Sequence, residues 1–482
     1  MIFALTFFLN AAANFAFGLG LSAILGPAEF GRYSTVQLAS ITLAGGMLDW
    51  LRLSSLRFSG DREARVAVGS SLEAGYFGLA LLAYAAVALC AIFGATFGLG
   101  LPLLLLTPLL GVAAHRVDFM GARFRARDEG LPFAGVYGLR QLFCFTAVVA
   151  VAWITRDATI TVGALAAANL LPALLFSPRA RVDGAALAHA SRDRLKSFFV
   201  YAKPIVVSLV VYQLVGLINR HMALTHLGAE ATGKLSLAAD LGQRLFGAAN
   251  TLPELILFQY VLKLDRTEGR AAAERQQGLN IALGLGFLAP LAVGYAVMAP
   301  TFEALLAPAA YRGAFASLSA ELAPGYFALF AITSSLAPIF QLHGGTWQLS
   351  VASLVALAVD LILVGLTPLG ATLDGLAIAN SASLVCAMLA TAVLAWRAAP
   401  VRPRLRDMLA ILAANAAMAA LVRPLNALPS HALAALAALA VGAAVIGGAY
   451  LIFDVGGLRG FAGAALRRRE GALPQDSSVR SA

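Results

Sequence analysis

Leu25-Gly26-Pro27-Ala28-Glu29-Phe30-Gly31-Arg32-Tyr33-Ser34 recurs without a gap as Leu227-Gly228-Ala229-Glu230-Ala231-Thr232-Gly233-Lys234-Leu235-Ser236. Leucine, both glycines, the basic residue and serine coincide, and each copy lies between two long apolar runs. The composition is that of a tight turn between helices: Gly26 and Pro27 stop one helix, and Gly31 allows the re-entry angle of the next. Two such turns at corresponding places imply a duplicated unit.

The surroundings of both turns are those of a membrane protein. Of 482 residues, 60% are hydrophobic and 12% charged, whereas soluble domains carry roughly 25% charged residues. A span needs about 20 apolar residues, and dividing the apolar runs at charge clusters and Gly/Pro turns predicts an all-α, polytopic chain of about fourteen spans. The predicted limits are 2–25, 33–51, 70–97, 99–114, 131–155, 159–177, 198–225, 232–258, 278–301, 321–342, 346–367, 372–396, 407–422 and 431–453. The first run begins without a basic segment and reads as a retained span, not a signal peptide. Cys90, Cys144 and Cys386 are isolated, and no metal-ligand pattern, Walker sequence or dinucleotide fingerprint occurs. The net charge of +10 sits in short clusters between apolar runs, which excludes a nucleic-acid partner and points to loop topology.

Lys and Arg alternate in density from loop to loop. With fourteen spans, loops on the N-terminal side carry 26 basic residues and those on the opposite side five, namely Arg32, Arg156, Lys234, Arg312 and Arg423. Positive charge stays on the cytoplasmic side, so both termini are expected in the cytoplasm and both copies of the turn outside. Six spans separate the copies, an even number, so the halves share one orientation, as in carriers built from parallel repeats. The predicted organisation is a six-helix bundle over 1–177, a basic linker over 178–197, a second six-helix bundle over 198–397, two further helices over 398–453 and a cytoplasmic tail over 454–482. The tail from Arg467 onward is expected to be disordered, and Met120–Glu129, with Arg123, Arg125 and Arg127, to touch anionic headgroups.

The first copy of the turn also carries a resemblance. Leu25, Gly26, Pro27, Glu29, Phe30, Gly31 and Tyr33, followed by Asp49 and Arg57, resemble the N-terminal signature of bacterial polysaccharide flippases, which export O-antigen and exopolysaccharide precursors. These belong to the multidrug/oligosaccharidyl-lipid/polysaccharide exporter superfamily. The resemblance covers about sixty residues; Trp50 departs from the small residue expected after the aspartate. It implies an inner-membrane, non-enzymatic carrier that moves an undecaprenyl-pyrophosphate-linked oligosaccharide to the periplasmic leaflet by alternating access. A polysaccharide polymerase and a chain-length regulator are the protein partners it implies, beside the phospholipid bilayer. The rival readings are a lipid II flippase, a drug/cation antiporter of the same superfamily and, from the enzyme class, a polysaccharide polymerase or ligase. The last group resembles chains with a large catalytic periplasmic loop, and the longest outside loop here, about 302–320, carries only Glu303 and Arg312.

Charges inside spans are costly, roughly 2.5–3.5 kcal/mol each, and face water or a partner. Arg140, Arg220 and Arg244 are the candidate headgroup ligands, because a guanidinium stays charged and grips phosphate through two N–H groups. Asp240 and Arg244 are four residues apart and able to pair on one face. Asp49 is expected to bond Arg52 or Arg57. Asp360, without a basic residue at helical spacing, and Asp240 are the candidate coupling-ion ligands for a proton or sodium gradient; no other cofactor is expected. The membrane potential alone assists outward movement of an anion, by about 2.3 kcal/mol per charge per 100 mV.

Overall fold

The computed structural model describes residues 2–58, 65–180, 190–399 and 401–459, all helical or in short connections. In chain order the helices are α1 (Ile2–Phe58), α2 (Arg65–Ile92), α3 (Leu101–Ala126), α4 (Gly130–Phe143), α5 (Val149–Thr155), α6 (Ala158–Ala180), α7 (Arg192–Met222) and α8 (Ala229–Thr267). They continue as α9 (Arg270–Val297), α10 (Ala299–Leu306), α11 (Phe315–Ala331), α12 (Ala337–His343), α13 (Trp347–Leu366), α14 (Leu373–Ala398), α15 (Leu405–Val422) and α16 (His431–Phe453). Single π-turns join α4 to α5 and α11 to α12, and another extends α7 to Leu227.

Twelve of the described helices are long and apolar enough to cross a membrane, counting runs joined through π-turns as one. The sequence divides the same residues into fourteen, and the difference lies around the two turns. The expected spans 2–25 and 33–51 share one 57-residue element, α1, broken at Gly26. The expected span 232–258 lies within α8, which holds Asp240 and Arg244 mid-helix and is not among the twelve. In place of a loop from Gly26 to Tyr33, helix resumes directly at Pro27.

Both turns use one backbone solution. Gly26 has φ 69° and ψ 171°, and Gly228 has φ 91° and ψ 171°, a region essentially closed to residues with a Cβ. The next helical turns then cross each other reciprocally. A Cβ on Gly31 would collide with the carbonyl oxygen of Ala229, and one on Gly233 with that of Pro27. Small residues let the two backbones touch, so the duplicated glycines form the crossing of α1 and α8. Each copy also keeps its own ion pair, Arg32 with Glu29 and Lys234 with Glu230, both at 2.8 Å.

Around this crossing α1 packs on α3, α7 and α8; α3 packs on α6; and α11 packs on α14, α8 and α9. Helices α15 and α16 pair with each other, and α15 leans on α9. The main core joins both halves at the turns, through Leu21, Phe30, Tyr33, Leu237, Phe246, Tyr311 and Phe315.

Two expectations for the basic segments change. The predicted span 99–114 is α3, which runs on to Ala126. Its Arg123 does not meet headgroups: it is 1% exposed and bonded to Glu73 of α2, which also takes Arg116 at 2.7 Å. A carboxylate that the topology count passed over thereby turns two loop charges into a buried network. Trp50 fits its site, packing edge-on against Phe199 and donating its indole N–H to Met47 O at 2.9 Å. The centre of the linker, 181–189, and the tail beyond 459 lie outside the described residues.

Candidate functional site

A cavity of about 450 Å³ opens between the halves. Its wall comes from α1 (Asn14, Gln37, Ser40, Asp49, Arg52), α3 (His115, Asp118), α4 (Arg140), α6 (Asn169), α7 (Gln213) and α8 (Arg244). Helix rise is 1.5 Å per residue, so Asp49 and Arg52 stand roughly 35 Å along α1 from the Gly26 break. The cavity therefore extends away from the closed turns toward the end of α1 that carries Arg52 and Arg57.

Three guanidinium groups face two carboxylates here. Arg52 binds Asp49 through two hydrogen bonds, Nε to Oδ1 at 2.6 Å and Nη2 to Oδ2 at 3.0 Å. Arg140 lies 3.8 Å from Asp118, which also accepts the Tyr137 hydroxyl at 3.1 Å. Arg244 does not pair with Asp240. It donates across the interface to the backbone oxygen of Asn14, whose side chain, with that of Asn10, accepts from Gln141 Nε2. A backbone carbonyl leaves the charge of Arg244 uncompensated, so the α1–α4–α8 corner of the cavity is its most cationic part.

Arg220 stands elsewhere. It does not line the cavity; it is buried, donates to Ser34 O at 3.0 Å and closes an ion pair with Asp240. One arginine on α7 thus ties α8 to α1 just beyond the glycine crossing. The expected Asp240–Arg244 pair gives way because a partner on a neighbouring helix meets Asp240 directly, whereas Arg244 points over to α1. With a fixed arginine on it, Asp240 makes a poor ion ligand.

Asp360 on α13 is fully buried and accepts from Asn219 Nδ2 at 2.9 Å. Its Oδ2 and the Asn219 Oδ1 have no hydrogen-bond partner among the described residues. Arg57 lies outside the cavity wall, its guanidinium carbon 4.4 Å from the Tyr201 ring centroid. No cluster of three His, Cys, Asp or Glu side chains suited to a metal occurs among the described residues.

A second cavity, about 600 Å³, is almost wholly apolar and lies between α8, α9, α15 and α16. Leu283, Phe287, Leu291, Met418, Ala438 and Ile446 are among its lining side chains.

Most of the chain is similar in fold to solved membrane transporters. A lipid II flippase MurJ in an inward closed conformation matches 95% of this chain and 99% of its own, with TM-score 0.72 and 13% identity. The fold is thus one shared with MurJ and with MATE-type transporters. An inward-facing multidrug resistance MATE transporter covers 81% of this chain and 95% of its own, at TM-score 0.57 and 15% identity. A superfamily transporter from Pyrococcus furiosus, described as having a binding pocket of reversed polarity, covers 83% and 95%, at TM-score 0.54 and 14% identity. No protein-family model matches the chain, and no curated protein matches it in sequence.

The cavity also holds three groups that were not among the candidate site residues: Arg52, which the sequence counts among the loop charges, and His115 and Asp118. Their signal was present in part. Asp49, Arg52, His115 and Asp118 lie three apart on α1 and on α3, the spacing of one helix face, but only packing shows that the two faces look at each other.

Proposed function

We propose that the chain is a flippase carrying an undecaprenyl-pyrophosphate-linked oligosaccharide from the cytoplasmic to the periplasmic leaflet of a bacterial inner membrane. The observation that carries this reading is the pairing of a cavity bearing Arg52, Arg140 and Arg244 with a separate apolar cavity. A diphosphate offers several oxygens to guanidinium groups, and an isoprenoid tail suits an apolar wall. Arg140 and Arg244 remain headgroup ligands; Arg52 replaces Arg220, whose bonds tie the halves together.

The same reading counts α8 and both parts of α1 as crossings, which makes fourteen. The bundles are 1–177 and 198–397, linked by 178–197 and followed by two helices over 398–453. Both termini, with the tail over 454–482, lie in the cytoplasm by the distribution of positive charge, and the closed glycine crossing is then periplasmic. Sugar enters the polar cavity from the cytoplasmic side, and parting of α1 from α8 releases it outward. Polymerase and chain-length regulator act on the product. Asp360 with Asn219 is the candidate coupling site for a proton or sodium ion; Asp360→Asn should abolish any gradient dependence of transport in vesicles, and unchanged dependence would remove it from that role.

A lipid II flippase is the second reading, favoured by the likeness to MurJ over 95% of this chain. A drug/cation antiporter fits less well, because three arginines line the cavity. Mass spectrometry of lipid-linked intermediates in a deletion strain separates the readings. Undecaprenyl-linked oligosaccharide should accumulate; accumulated lipid II would select the second reading, and unchanged pools of both would overturn both.

A further inference from the structure

His115 is a buried imidazole that faces a cavity, and its ring nitrogens have no hydrogen-bond partner among the described residues. Its Nε2 lies 3.6 Å from Asp49 Oδ1, the oxygen that accepts from Arg52 Nε at 2.6 Å. The ring is held in place by stacking on Tyr76, with centroids 5.8 Å apart, and Tyr76 is fixed by its hydroxyl bond to Val112 O at 2.6 Å.

The other charges around it are committed. On α2, Glu73 is taken by Arg116 and Arg123 of α3. Asp118, one helical turn from His115, is engaged with Tyr137 and Arg140 of α4. From α8, Arg244 is turned to Asn14 O, while the residues that α6 and α7 present to the cavity, Leu165, Asn169 and Gln213, are uncharged. Asp49 is thus the one carboxylate within ion-pair distance of the imidazole among the described residues, and Arg52 already neutralises it.

We infer that His115 is a proton-binding site linked to anion binding in this cavity: a diphosphate that draws Arg52 away from Asp49 leaves that carboxylate to be neutralised by a protonated His115. The proton is given up by a buffer acid in the bulk solvent, reaches the ring through the water of the cavity and ends on His115 Nε2, between the ring and Asp49 Oδ1; one bond to hydrogen breaks in the acid and one N–H bond forms. A neutral imidazole gains its charge by binding one proton, so the ring meets the exchange of counter-ions without another side chain having to move. By linkage, uptake of a proton on binding makes binding tighter as pH falls, with a slope of up to about tenfold per pH unit while the proton count changes by one. This rests on the reading of the cavity as a diphosphate site.

The test is titration calorimetry of the full chain in detergent with undecaprenyl diphosphate, at about pH 7.5, in two buffers of contrasting ionisation enthalpy. The natural chain should take up about one proton more per bound diphosphate than His115→Gln. Asp49→Asn, which also removes the receiving carboxylate, should lose the same proton, and it carries the comparison if His115→Gln fails to fold. Equal proton counts in the natural chain and a folded variant, with binding retained, overturn the linkage and leave the cavity reading standing. Absence of binding to the natural chain overturns the cavity reading itself, and the linkage with it.

Discussion

The two cavities divide the labour of the molecule, and they do so against its internal symmetry. Of the residues lining the polar cavity, only Gln213 and Arg244 come from beyond residue 180; every residue lining the apolar one does. Yet the two turns share one glycine backbone conformation, and in each the basic residue pairs with a glutamate of its own turn, Arg32 with Glu29 three residues back and Lys234 with Glu230 four residues back. What stays duplicated is the crossing, where backbones must approach; what has diverged is the lining, where only side-chain chemistry matters. On the proposed reading, a carrier of a lipid with an anionic head needs one wet charged wall and one dry wall, and the two unlike linings supply both from one fold.

Reversing charge on the polar side should break this division most severely. Arg244→Glu or Arg140→Glu is expected to lower undecaprenyl-diphosphate affinity by at least about a hundredfold, since each charge-assisted contact is worth about 1.5–3 kcal/mol and the new carboxylate repels. Retained affinity in both would remove the arginines from the site. The glycine crossing comes next. Gly233→Ala should cost about 1–3 kcal/mol by forcing α1 and α8 apart, read as a lowered melting temperature in detergent, while Gly20→Ala, whose Cβ meets nothing within 4 Å, should not. Equal behaviour of the two variants would mean that the crossing is loose.

Filling the apolar cavity tests the other wall. A Cβ on Gly294 has Met418 Cε at 4.0 Å as its only close neighbour, so Gly294→Leu should project into the space and weaken binding of the long-chain diphosphate by about tenfold, through displaced apolar contact. Inorganic pyrophosphate should bind as before; a similar loss for both would place the effect in the polar wall or in the fold. The smallest effect is expected at Arg32, whose side chain is 49% exposed. Arg32→Ala should shift stability by less than about 1 kcal/mol, and a larger loss would show that the Arg32–Glu29 pair holds the turn.

Hydropathy located nearly every helix, because a bilayer demands about 20 apolar residues per crossing whatever the packing. It misplaced Arg123, since a positive charge at the end of an apolar run reads as a loop until Glu73 is seen beside it. It paired Asp240 with Arg244 by helical spacing, although the nearer arginine in space, Arg220, is 20 residues away in the chain. It counted Arg52 as topology, and Arg52 is also part of the cavity wall.

Composition and period alone determined that the chain is a helical membrane protein, where most of its helices run and that its glycine turn recurs. These follow from one-dimensional quantities: apolar length and residues that only one backbone conformation accepts. Tertiary structure decided which charges meet, that Arg220 is a tie and Arg52 a wall, and that polar and apolar linings come from different halves. Those depend on the facing of helices far apart in sequence, which the period of a single helix leaves open until its neighbours are in place.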